Sequence, residues 1–157
     1  MYSKKEVFRT ILFMCTVLTL MSMLSCDNED DIGTIFTGKT WYMTGGEING
    51  TPITGEELKN IYAVPESYLI YFSPDKSFTG ILTFGSSFSG TWAANGKNNS
   101  MTLNFSKSEN VNGSALSTNI FNILKGTTSY SGDENNIKIK EDSHNYIRLT
   151  KSRKSSN

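Results

Sequence analysis

The sequence predicts a mainly β fold with a minor helical part: one antiparallel meander sheet or small barrel carrying one or two short helices. Three observations predict it. Thr, Ser, Gly and aromatic residues are abundant while prolines number only three, a composition that suits pleated, half-buried strands. Apolar and polar residues alternate over several short runs, which places one side of each run on a core. Turn-forming residues recur between the runs, joining them too tightly for the crossovers that parallel strands require.

The elements follow in order. Residues 39–45 read as a first strand with Trp41 and Met43 on one face, and Asn49-Gly50 is a hairpin turn signal. Thr54-Gly55-Glu56-Glu57 fits a capping box opening a short helix through Leu58, Ile61 and Tyr62, stopped before Pro65. Residues 67–72 form the next strand; because Tyr68 and the run Leu69 to Phe72 are apolar on both faces, it is expected to be buried on both sides. Ser73-Pro74-Asp75-Lys76 turns the chain into strands at 77–84 and 88–94, and Asn95-Gly96-Lys97-Asn98 into one at 100–105.

Residues 106–113 are polar and read as a loop. Residues 114–125 stay ambiguous. Leu116, Ile120, Ile123 and Leu124 share a helical face and Gly126 suits the position just past a helix, whereas Thr, Asn, Ile and Phe favour a strand. Two closing strands run over 137–140 and 146–150, with turns at 133–136 and 142–145.

The N-terminus has a different character. Lys4, Lys5 and Arg9 precede an apolar stretch over 11–24, shorter than the roughly 20 residues a spanning helix needs and suited to a signal peptide. Met23-Leu24-Ser25-Cys26 resembles the lipobox of bacterial lipoproteins, Leu-small-small-Cys, with Met23 at the usual place of leucine. That resemblance implies cleavage before Cys26 and a diacylglyceryl group on its sulfur; two or three acyl chains hold a protein stably on a membrane where one does not. The acidic run Asp27-Asn28-Glu29-Asp30-Asp31 resembles the export signal of Bacteroidota lipoproteins for the outer face of the outer membrane. The expected location is therefore the outer membrane, lipid-anchored and facing the cell surface, with a periplasm-facing lipoprotein as the alternative.

This reading divides the chain into a signal peptide (1–25), a lipidated cysteine with an acidic tether (26–35), a β-barrel-like domain (36–151) and a disordered basic tail (152–157). Removing Cys15 with the signal peptide and lipidating Cys26 leaves no disulfide, so stability rests on packing. The chain balances 15 basic against 15 acidic residues; loss of Lys4, Lys5, Arg9 and Glu6 leaves 12 against 14, a formal −2. Such a balance gives no electrostatic case for nucleic acid or for an anionic membrane surface.

Within the domain, Phe36-Thr37-Gly38-Lys39-Thr40-Trp41 resembles the opening Leu-x-Gly-x-x-Trp of two groups. These are the lipocalin-like small lipoproteins of Bacteroidota and the META (HslJ-like) domain. The order of strands over 72–90, a helix carrying Phe121 and Leu124, and closing strands over 130–149 resembles the META pattern, although Ala93-Ala94-Asn95 stands where META domains carry Gly-Cys-Asn. The resemblance implies a lipocalin-like or META-like fold and, because fold does not carry function, nothing further.

Catalytic groups, metal ligands and cofactor motifs are not expected. His144 is the sole histidine and lies in a polar turn, and Asp133-Glu134 and Glu141-Asp142 occupy turn positions that solvation explains. No serine sits in a nucleophile elbow and no glycine-rich loop precedes a helix. The aromatics Trp41, Phe72, Phe88 and Trp92 fit a core by alternation. Tyr42, Tyr68, Tyr71 and Trp92 are the candidate contacts for a ligand or partner.

The expected function is a non-enzymatic binding module whose barrel interior or open end takes an apolar or glycan ligand. The alternative is an accessory subunit of a cell-envelope assembly, and a hydrolase with an unrecognised site ranks third. A real interior cavity favours the first; a filled core with an exposed apolar patch favours the second.

Overall fold

A computed structural model describes residues 31–152. The signal segment, Cys26 and the tail beyond Ser152 lie outside the described residues. The strands are β1 (Lys39–Ile48), β2 (Thr51–Pro52), β3 (Leu69–Phe72), β4 (Ser77–Ile81), β5 (Ser87–Asn95), β6 (Ser100–Glu109), β7 (Ser129–Gly132), β8 (Asn136–Lys140) and β9 (Tyr146–Thr150). Helices α1 (Ile32–Phe36), α2 (Gly55–Ala63) and α3 (Ala115–Lys125) accompany them. Every pairing is antiparallel, and β9 returns to β1 through Met43↔Leu149 and Glu47↔Tyr146. Eight strands thereby close an up-and-down barrel, and β2 is an extra short strand on β1.

The register assigns each connection to one of two ends. At the first end lie α1, the β3–β4, β5–β6 and β7–β8 turns, and the end of β9. Asp75 accepts there from the Ser77 hydroxyl and N–H, Asp133 from the Asn135 and Asn136 N–H groups, and the N-cap Asp31 from the Thr34 N–H and hydroxyl. These bonds favour the charged carboxylate, and they hold all three below the usual carboxylate range. Phe36 of α1, fully buried, corks this end, standing edge-on to Phe72 and Tyr130 at 5.3 and 5.1 Å and tilted on Trp92 at 5.5 Å.

The second end carries the β1–β2 hairpin, α2, the β4–β5 loop, the start of α3 and the β8–β9 turn. Pairing between β6 and β7 reduces to Ser100↔Ser129. The wedge that this leaves is filled by α3, which turns Leu116, Ile120, Phe121, Ile123 and Leu124 to the core. Phe121 meets Phe105 edge-on at 5.0 Å. Ser114 caps the helix by accepting from the Ser117 N–H, and the Gly126 N–H closes it on the Asn122 carbonyl. The helical reading of 114–125 is therefore the one realised.

Several expectations are corrected. The tether does not run to residue 35: Asp31 starts α1, and both Ile35 and Phe36 are buried. β6 continues to Glu109 through residues read as loop, because a long β5 gives it a partner as far as Ser87↔Glu109. The strand expected over 77–84 stops at Ile81, and β7 was not among the predicted strands. Thr54 is the N-cap of α2 but makes no side-chain cap bond. β3 is not buried on both faces, since Leu69 and Tyr71 are half-exposed on the outside.

Candidate functional site

The barrel interior is full. Trp41, Phe72, Phe78, Phe88, Trp92 and Tyr130 are each no more than 2% exposed, as alternation predicts for the four of them it singled out. Phe88 lies over Gly80, where any Cβ would strike its ring at 2.1 Å, so the missing side chain is what lets the ring in. A pocket among Met43, Ile70, Leu82, Phe88 and Ile120 offers only about 10 Å³, no more than the roughly 10–15 Å³ that a single water needs. The buried indole N–H groups of Trp41 and Trp92 find no acceptor, a measure of how apolar this interior is.

The four predicted contact residues are not brought together. Trp92 is inside, beneath the Lys76 ammonium at 4.1 Å from its ring. Tyr68 is also inside, 5% exposed, with its hydroxyl 3.3 Å from the Ser117 hydroxyl. Its backbone takes a φ of 50°, which turns its side chain in where strand alternation from Ile70 would also put it. Tyr42 and Tyr71 lie on the outer face as diagonal neighbours, from the registers Tyr42↔Leu69 and Thr40↔Tyr71, and are half-buried.

Two open grooves have the volume of a small-ligand site. One, about 490 Å³, is a polar trough along Thr44, Tyr62, Asn135, Asn136, Thr150 and Lys151. The other, about 520 Å³, lies at the second end between α2, the β4–β5 loop and the start of α3. From α2 and its C-cap it takes Glu57, Asn60, Ala63 and Val64; Phe84 and Thr83 come from the β4–β5 loop, and Tyr68 and Leu116 are among its lining residues.

Phe84 sets this groove apart. Its side chain is 95% exposed, although burial would stabilise it by about 1.5–3 kcal/mol. Its loop is nonetheless firmly built. The buried Ser86 hydroxyl accepts from the Leu82 and Thr83 N–H groups at 2.9 and 2.8 Å and donates to the Thr83 carbonyl at 2.8 Å. Gly85 takes a φ of 76°, which favours glycine, and its carbonyl accepts from the Asn110 side chain at 3.1 Å. The sequence reading places Phe84 at a strand end and counts it among the aromatics that could line a ligand cavity or a sugar-stacking face, without choosing it as a contact. Thr83-Phe84-Gly85-Ser86, a turn quartet with an aromatic at its tip, is the signal that would have moved it from strand to loop.

Titratable groups gather elsewhere. His144 is exposed in its turn and lies 3.7 Å from Glu47, whose carboxylate also accepts from the Tyr146 hydroxyl at 3.3 Å. The Arg148 guanidinium donates to that hydroxyl at 2.9 Å, and Lys138 lies 4.7 Å above the ring. This network ties β8 and β9 to the end of β1 and borders neither groove. Among the described residues, no group of three or more His, Cys, Asp and Glu side chains could hold a metal ion. No helix among them is long and apolar enough to cross a membrane.

The class that this geometry defines is a small lipocalin-like β-barrel, closed, filled with side chains and helix-capped at both ends. The chain belongs to the family described as a domain of unknown function, DUF4847, which matches residues 27–151. Among solved structures it is similar to the crystal structure of a DUF4847 family protein from Bacteroides vulgatus ATCC 8482. The two share 21% identity and a TM-score of 0.65, over 79% of this chain and 99% of that one, a likeness of fold. No curated protein matches. The META resemblance stays one of short motifs.

Proposed function

We propose that this chain is a non-enzymatic binding module, lipid-anchored through Cys26 at the outer membrane and facing the cell surface. It takes a small apolar or glycan ligand in the groove between α2 and α3. The carrying observation is the contrast between a barrel with no usable interior space and an open groove walled by the exposed Phe84. The Ser86 hydrogen bonds fix the loop backbone on either side of Phe84, which places the ring at the groove before any ligand arrives. The groove also lies at the end of the barrel away from α1, and five peptide links, no more than about 18 Å, separate Cys26 from Asp31. An anchor there leaves the groove turned away from the membrane. Glu57 is the single carboxylate among the described residues that line the groove.

The accessory-subunit reading also has an observation behind it: Val64 and Phe84, 41% and 95% exposed, stand together on that groove. A filled core with exposed apolar residues is the arrangement expected of a partner surface. Yet two residues make a small patch beside the 1,000 Å² or so of a specific protein interface.

The test is native mass spectrometry of the intact lipidated chain released from its own envelope, beside a Phe84→Ala variant. An added mass of small-molecule size on the wild type, lost from the folded variant, is the expected result. Bare chains in both preparations would sink the reading. A co-released polypeptide lost with Phe84 would transfer it to the accessory role.

A further inference from the structure

We infer that the ligand of the α2–α3 groove is a neutral pyranoside, a hexose or N-acetylhexosamine residue of a glycan, stacked on Phe84. The inference rests on the groove reading above and names its ligand class. The groove has a polar side and an apolar side rather than a uniform lining. Glu57, Asn60 and Ala63 follow one another at steps of three along α2 and so lie on one side of it, and Val64, the C-cap, continues that side of the groove in extended backbone. That face changes along its length from a carboxylate and an amide to the apolar Ala63 and Val64. The Phe84 ring lines the groove from the β4–β5 loop, with Thr83 and Ser114 also among its lining residues.

An alkyl ligand matches one half of this lining and strips water from Glu57 and Asn60 without replacing it, which costs free energy. A pyranose matches both halves. Its axial C–H bonds form an apolar face that lies flat on an aromatic ring, and its equatorial hydroxyls donate to a carboxylate and exchange hydrogen bonds with an amide or hydroxyl. Charge narrows the class. Among the described residues that line the groove, Glu57 is the only ionisable acid or base besides the Tyr68 phenol, and none is a Lys or Arg. A uronic acid would bring a second carboxylate with no cation to meet it, and like charges in one site repel.

The experiment immobilises oligosaccharides of neutral hexoses, of N-acetylhexosamines and of uronic acids, and measures retention of the intact chain in detergent. Retention on the neutral or N-acetylated set, with uronic acids about tenfold weaker or worse, is expected. Phe84→Ala should weaken retention by about tenfold or more, and Phe84→Trp should preserve it. Glu57→Gln should narrow the gap between neutral and uronic sugars. No retention on any sugar, or retention indifferent to Phe84→Ala, overturns the inference. The two readings fail separately. A Phe84-dependent adduct in the native mass spectrum that is not a saccharide sinks the sugar and keeps the groove, and the absence of any Phe84-dependent adduct sinks both.

Discussion

The two ends of this barrel solve the same problem in opposite ways. At the α1 end three tight turns are locked by side chains, and a single buried Phe36 fills the mouth among Phe72, Trp92 and Tyr130. At the other end the closure is helical, and a loop tied by the Ser86 hydroxyl holds a phenylalanine out in water. One phenylalanine is therefore all structure and the other contributes almost nothing to it. Burial, rather than residue type, decides what a side chain is for.

Substitutions can break that contrast, and the largest effect belongs to the cork. Phe36→Ala should cost about 3–5 kcal/mol, the range for emptying a buried aromatic site, and lower the melting temperature accordingly. A loss under about 1 kcal/mol in denaturant titration would mean that α1 does not seal the mouth. At the opposite end, Ser86→Ala leaves the Leu82 and Thr83 N–H groups without their acceptor. It should cost about 1–3 kcal/mol, with faster amide exchange confined to the β4–β5 loop. Ser114→Ala removes the α3 cap at a cost of about 1 kcal/mol, read from the same titration.

Acid sharpens the comparison without mutating the core. Asp31, Asp75 and Asp133 at the α1 end, and Asp142 at the other, are held below the usual carboxylate range by the turn N–H and side-chain donors they accept from. Asp142 accepts from the Asn145 amide and from the His144 and Asn145 N–H groups. A depressed folded value means stabilisation that is complete above the unfolded value, about 3.9, and lost as pH falls through the lower folded one. Melting temperature should therefore fall below about pH 4, and the triple variant Asp31→Asn, Asp75→Asn, Asp133→Asn should flatten that fall more than Asp142→Asn alone. Smallest of all, Phe84→Ala should leave stability within about 0.5 kcal/mol. A clear destabilisation there would show the ring to be packed in solution and would remove the reason for assigning it a ligand.

Much of the architecture was legible in the sequence, for identifiable reasons. Alternation gave the strands around Trp41, Phe72, Trp92 and Leu149 because an antiparallel barrel has one wet and one dry face. Asn49-Gly50 and the Asp-led quartets gave turns because those residues stabilise the turn locally, whatever lies beyond it. What escaped depends on distant partners. Polar residues 106–109 become strand because β5 is there to pair with them, and Ile32–Phe36 becomes helix because a barrel mouth waits for Phe36. The groove was less legible still. Tyr amphipathicity pointed to Tyr42, Tyr68 and Tyr71, but Tyr68 turned inward; the aromatic left exposed was fixed by Ser86 and Gly85, neighbours whose role is visible only in the folded loop.

The β1–β9 seam joins residues as far apart in the chain as Tyr42 and Thr150, 108 positions. Loop-closure entropy over such a span must be met before any seam contact compensates it, which places folding among the slow, high-contact-order β topologies. Until the last strand has emerged, β1 has only β2 and β3 to pair with and keeps one edge bare. A nascent chain is thus committed to waiting, with Trp41 and Met43 uncovered, for its final residues. The interval before closure, more than the finished barrel, is where this molecule is exposed to misassembly.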